Sequence, residues 1–157
     1  MIRQAKSFFK CERGTQLLEF ALLLPFLIVL FASAVEMGRM FYTYTTLQKS
    51  TEVGARYLSS AKVSAGSYAT ADTDTAKNLV VCGVAGSCSG QIPVAKNLTA
   101  SNVTITNPGT SLGTRYVTVK VTYAYQPLVF NLGTLTGNSN LSLNFTFTPT
   151  ITMRYML

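Results

Sequence analysis

Glu19 is the ionisable group in this 157-residue chain whose position most needs explaining, because it stands two residues inside a long apolar run. A carboxylate at that depth in a hydrocarbon layer costs a few kcal/mol unless it is protonated, snorkels to the headgroups or meets a cation. It can therefore either reach the interface or supply a counter-charge to a cation packed among apolar helices. Two further sets of residues could do chemistry. Cys82 and Cys88 have five residues between them, two of them glycines, so a disulfide closing that loop is sterically easy. Asp72 and Asp74 lie in a polar stretch with no histidine or metal ligand nearby, and read as helix caps or solvated charges. The chain has no histidine, and Cys11 is far from the other two cysteines, so a zinc site lacks ligands and no metal is expected. No nucleophile and base pair and no phosphate-cradling glycine loop can be assembled. Neither an enzyme nor a cofactor is expected.

The element that positions Glu19 is the apolar run itself, nineteen residues from Leu17 to Val35. At about 1.5 Å per residue such a helix reaches roughly the 30 Å thickness of a hydrocarbon core, so it can span a membrane. Pro25 falls within it, removes one backbone hydrogen bond and is expected to kink the helix, which neighbouring helices in a membrane can cover. After Val35 the helical pattern continues but becomes one-sided. Met37, Met40, Phe41, Tyr44, Leu47, Thr51, Ala55 and Leu58 recur at spacings of three and four and predict an apolar stripe. An unbroken helix from Thr15 to about Ser59 would be roughly 65 to 70 Å long. Tyr42 reads as part of an interfacial aromatic belt.

The net charge of +7 is unevenly placed. Arg3, Lys6, Lys10 and Arg13 against Glu12 concentrate positive charge in the first fourteen residues, and the remainder is thinly spread. By the positive-inside rule this puts the N-terminus in the cytoplasm and the chain beyond Val35 outside. Cys11 then lies in a reducing compartment, while Cys82 and Cys88 lie where a disulfide persists. No basic stripe with interleaved aromatics is present, so nucleic acid is not an expected partner.

Gly14, the four spacers Thr15 to Leu18, and Glu19-Phe20 resemble the processing site of Flp-type prepilins, which a membrane aspartic peptidase cuts after the glycine. The likeness continues through the Glu-Phe-Ala step, the leucine-rich run with one proline, Val35-Glu36-Met37-Gly38-Arg39 and Gly54-Ala55-Arg56-Tyr57. Over roughly residues 13 to 58 the chain is similar to the TadE-like minor pilins and pseudopilins of the tight-adherence (Flp) pilus apparatus. The resemblance implies a leader covering residues 1–14, processing at Gly14–Thr15, and an assembly role for Glu19 and Phe20. A new α-ammonium at Thr15 would need a counter-charge, and a carboxylate one turn away in the same or a neighbouring subunit supplies it.

Residues 60–157 read as an exported, β-rich domain. Residues 60–75 have no period and read as a loop before a short helix through Ala76, Leu79 and Val80. Val103 and Ile105 alternate with threonines, and Asn107-Pro108-Gly109 ends that run. Val117, Val119, Val121, Tyr123 and Tyr125 define a strand with one buried face. Residues 131–140 are turn chemistry. In the last run Leu141, Leu143, Phe145, Phe147, Ile151, Met153 and Tyr155 point one way, with a bulge or edge position at Pro149. One face of such a sheet must be covered, and the stripe of the long helix is the obvious cover. The expected fold is α+β: a long N-terminal helix with a transmembrane lower half (residues 17–35) and an amphipathic upper half, packed on a small antiparallel sheet in a pilin-like layout.

The expected function is a membrane-inserted minor pilin or pseudopilin in assembly of a Tad-type (type IVc) pilus, for adhesion or secretion. The expected place is the bacterial inner membrane, crossed once, and the chain could be incorporated in a pilus. The expected partners are other pilins, the inner-membrane pilus machinery, the prepilin peptidase and membrane lipid. An uncut single-pass envelope protein whose exported domain is a binding or adhesive module is the first alternative. A domain released by signal peptidase after Ala34 is the second, from Ala32-Ser33-Ala34.

Overall fold

One helix, α1 (Glu12–Ser59, 48 residues), dominates the fold, and α2 and the strands β4 and β7 pack against it. The computed structural model describes residues 12–60, 63–64, 67–68, 72–106, 116–128, 137 and 144–156. The first eleven residues, the turn at 107–109, most of 131–140, and Leu141 and Leu143 lie outside the described residues. The helix starts at Glu12 rather than Thr15, so Gly14–Thr15 falls in its first turn. Helical assignment passes through Pro25 without a break. Pro25 has no N–H, so the Ala21 carbonyl, four residues earlier, loses its usual intrahelical donor.

The remaining elements follow in the order β1 (Val63–Ser64), β2 (Ser67–Tyr68), α2 (Thr73–Cys82), a 3-10 turn (Ala100–Asn102), β3 (Val103–Thr106), β4 (Tyr116–Val121), β5 (Tyr123–Ala124), β6 (Thr146–Phe147) and β7 (Thr150–Arg154). β1 and β2 form a two-residue antiparallel ladder inside the stretch expected to be a loop. A ladder that short leaves no period-two pattern to read.

The main sheet is antiparallel in the order β3-β4-β7, with Ile105 opposite Val119 and Val119 opposite Ile151. Val117, Val119, Val121, Tyr123 and Tyr125 are all buried, as their alternation predicts. Pro149 divides the last run into two strands because it cannot donate to the ladder. Its carbonyl still accepts from the Val121 N–H at 3.0 Å, while the facing Thr122 N–H turns to the Asn102 carbonyl at 2.9 Å. β5 and β6 resume the pairing beyond this break, with Tyr123 opposite Phe147. Phe147, Ile151, Met153 and Tyr155 pack on the core, but Phe145 is exposed, contrary to expectation. The Phe145 carbonyl still accepts from the Tyr125 N–H at 2.7 Å, so the backbone stays paired just past the two-residue β5–β6 ladder while the side chain is exposed.

The upper half of α1 is amphipathic, and its inward face keeps Met40, Leu47, Thr51, Ala55 and Leu58 of the expected stripe but not Met37 or Phe41. Leu47, Ser50, Thr51, Ala55, Leu58 and Ser59 are buried, and Met40 packs against the core, whereas Met37 and Phe41 are exposed. The hydroxyls of Ser50 and Thr51 each donate to the Leu47 carbonyl, so two polar residues enter the core satisfied. Thr51 belongs to the stripe expected from the spacing, whereas Ser50 lies outside it and enters the core with its hydroxyl bonded.

α2 packs on α1 at Gly54. A methyl group there would collide with Val80 Cγ2, so only glycine lets the two helices approach this closely. Asp72 is the N-cap of α2, accepting from the Asp74 N–H at 3.0 Å and the Thr75 hydroxyl at 2.6 Å. These bonds, the Thr75 hydroxyl first, hold its carboxyl below the usual aspartate range. Gly83 closes the helix in a left-handed conformation. At the far end of α1 the Met156 N–H donates to the Ser59 carbonyl at 2.9 Å, which ties the last strand to the helix terminus.

Candidate functional site

The lower half of α1 is bare. Every residue from Gly14 to Val35 is exposed except Ala32, which is partly covered, and none of the most apolar 18-residue window is buried. In water such a surface would be a strong association site; this helix is long and apolar enough to cross a membrane. Glu19 lies on this bare surface, one turn from Thr15 on the same helical face. Phe20 is exposed beside it. The structure therefore brings Thr15 and Glu19 to one face and leaves both, with Phe20 and Pro25, open to whatever surrounds the helix.

The change from bare to covered helix occurs at Glu36, the first residue beyond the apolar run. This carboxylate is 3% exposed, the most enclosed charged group among the described residues. Its Oε1 accepts from the Tyr125 hydroxyl and from the Leu128 backbone N–H, the latter at 3.2 Å. Arg39, one turn on, places Nε 3.6 Å from the same oxygen, donates from Nε to the Tyr125 hydroxyl at 3.2 Å and from Nη2 to the Gln126 carbonyl at 3.0 Å. Its guanidinium also lies over the Tyr125 ring, 5.4 Å from the centroid.

These contacts set the ionisation of the group. The bond to Tyr125 is the main reason the Arg39 guanidinium is held above its ordinary value, so it stays charged. Burial, and then the bond to Glu36, push the Tyr125 phenol up. The arrangement is a latch. Two charges and a phenol one turn above the apolar run fasten the end of β5 and the loop after it to α1. On the helix side the signal was readable, as a carboxylate and a guanidinium three apart just beyond an apolar run. Tyr125, 89 positions from Glu36, carried none beyond its place on a buried strand face.

Cys82, the last residue of α2, and Cys88 lie at disulfide distance, with S–S 2.01 Å and Cα–Cα 5.8 Å. The Val94 N–H bonds to the Val81 carbonyl at 2.8 Å, so the loop they enclose leads directly back onto α2. In protein taken from the cell envelope we expect intact mass to show this pair linked, shifting by the two-hydrogen increment on reduction. Two freely alkylated thiols would show that the staple does not form there. Closing so short a loop should contribute about 2 kcal/mol.

A single long helix, covered at one end by a small sheet and a second helix and bare and apolar at the other, defines an α+β protein whose helix is long and apolar enough to cross a membrane. In the comparison with protein families, residues 14–56 match the family described as TadE-like protein. This match lies wholly within α1, and it takes in Glu19, Pro25, Glu36, Arg39 and Gly54 but none of the sheet. Comparisons with curated proteins and with solved structures return no match.

Proposed function

We propose that this chain is a membrane-inserted minor pilin or pseudopilin that takes part in assembly of a Tad-type pilus. The bare apolar half of α1 carries the reading. It is continuous with a helix that anchors a folded domain, and it falls inside the TadE-like segment. Such a helix can leave lipid and pack against the equivalent helices of other subunits without the sheet domain changing. Glu19 is the assembly group, meeting the α-ammonium that processing after Gly14 would create at Thr15. Phe20 packs beside it, Pro25 kinks the helix, and the prepilin peptidase, other pilins and inner-membrane pilus machinery are the partners. The N-terminus lies in the cytoplasm and the sheet domain outside, following the basic flank. Nothing in this role requires catalysis or a cofactor.

The N-terminal residue of protein recovered from membranes tests the processing step. Thr15 is expected first. Met1 would support instead the uncut single-pass anchor whose outer domain is a binding module, and Val35 would support secretion by signal peptidase.

A further inference from the structure

We propose that the loop after β5 is a membrane-contacting foot: Leu128 enters the bilayer interface beside the helix, and the Glu36–Arg39–Tyr125 latch holds it there. The inference rests on the reading that residues 17–35 span the membrane. Heights along α1 then locate the loop. Val35 marks the outer edge of the hydrocarbon, Glu36 follows at once, and Arg39 is about 6 Å above that edge, within a headgroup layer roughly 5 to 7 Å deep on each side. Gln126 is bonded at the level of Arg39 and Leu128 at the level of Glu36, so the loop descends towards the hydrocarbon as it runs.

Leu128 is 69% exposed, although it is apolar and its N–H is bonded to a buried carboxylate. On water alone that arrangement would be wasteful. Against lipid it has a cause: the leucine faces the acyl region while its own N–H, with Tyr125, satisfies the carboxylate that would otherwise meet hydrocarbon. Met37, also exposed, lies at the same height on α1. Arg39 is at phosphate height. The apolar collar is continuous with the bare helix, so the occupant is the lipid that surrounds that helix. The foot would fix the tilt of the sheet domain on the membrane before assembly.

The chain contains no tryptophan, which permits a direct measurement. Leu128→Trp, Phe26→Trp and Val53→Trp are each reconstituted as full chains in phosphatidylcholine and phosphatidylglycerol vesicles containing lipids brominated on the upper acyl chain. Leu128→Trp should show blue-shifted emission and lose about half of it to bromine, as for a group at the hydrocarbon edge. Val53→Trp, 18 residues beyond Val35 and so about 27 Å above the edge, should be unquenched. Quenching of Phe26→Trp but not of Leu128→Trp overturns the foot and leaves the membrane span standing. Failure of both removes the span and the foot together. A blue-shifted but unquenched Leu128→Trp means that protein, such as a second copy, covers the loop, and equal quenching of Val53→Trp means a domain lying flat; either result overturns the proposal.

Discussion

Replacing Glu19 with alanine is expected to leave the protein in the membrane and to remove it from the assembled pilus machinery. Insertion depends on the apolar area of Leu17 to Val35, and deleting a carboxylate from that run removes a desolvation cost of a few kcal/mol. Membrane levels should hold or rise. Assembly depends on a different quantity. An α-ammonium at Thr15, in this or an adjacent subunit, would be enclosed among helices with no counter-charge, and breaking such a pair typically costs about 3 to 5 kcal/mol. That corresponds to a loss of about a hundred-fold to a few thousand-fold in association. Glu19→Gln keeps volume and hydrogen bonding while deleting the charge, so it should fail almost as badly. Co-purification with the machinery, scored beside the exposed control Lys120→Ala and with membrane levels measured in parallel, checks this. If both Glu19 variants are processed and co-purify normally, the carboxylate only snorkels, and the uncut anchor becomes the better reading.

The second large effect is expected at the latch. Glu36→Ala leaves the buried Tyr125 hydroxyl and the Leu128 N–H without their acceptor and Arg39 without its carboxylate. A buried donor left unsatisfied costs about 1 to 3 kcal/mol, and the partly exposed Arg39 adds less, so about 2 to 4 kcal/mol of domain stability should be lost. Glu36→Gln retains an acceptor oxygen for both donors and should lose about 1 kcal/mol or less, since only the charge facing Arg39 is removed. Urea unfolding in micelles, followed by tyrosine near-ultraviolet dichroism, separates the two. Equal losses in both variants would mean that the charge, rather than the hydrogen bonds, holds the latch.

The same site predicts a pH dependence with a definite sign. Burial first, and the Glu36 bond second, raise the Tyr125 phenol above its unfolded value of about 10. The latch is therefore fully present below the ordinary tyrosine value and is lost as the pH rises through the folded one. Unfolding midpoints should fall on the alkaline side, and Tyr125→Phe, which has no phenol to ionise there, should lose that component.

Much of the architecture is local and was therefore legible in the residues alone. An apolar run of nineteen, followed by spacings of three and four, determines a helix with one bare and one sided half, because helical periodicity is written every few positions. The alternation of Val117 to Tyr125 determines a one-faced strand in the same way. Asp72 as a cap needs only the three residues that follow it. Tertiary structure decided the edges of the stripe of α1 that turns inward. Met37 and Phe41 are as apolar as Met40, yet they lie outside, because the covered face runs from Glu36 through Leu47 to Leu58 and admits Ser50 with its hydroxyl bonded. Gly54 gained its meaning from Val80 on another helix. Phe145 is exposed although its carbonyl still pairs with the Tyr125 N–H, so alternation alone did not settle its place. Glu36 was visible as a carboxylate beyond an apolar run, but its burial depends on Tyr125 and Leu128, about ninety positions away, and no local spacing encodes a partner brought there by the return of a strand.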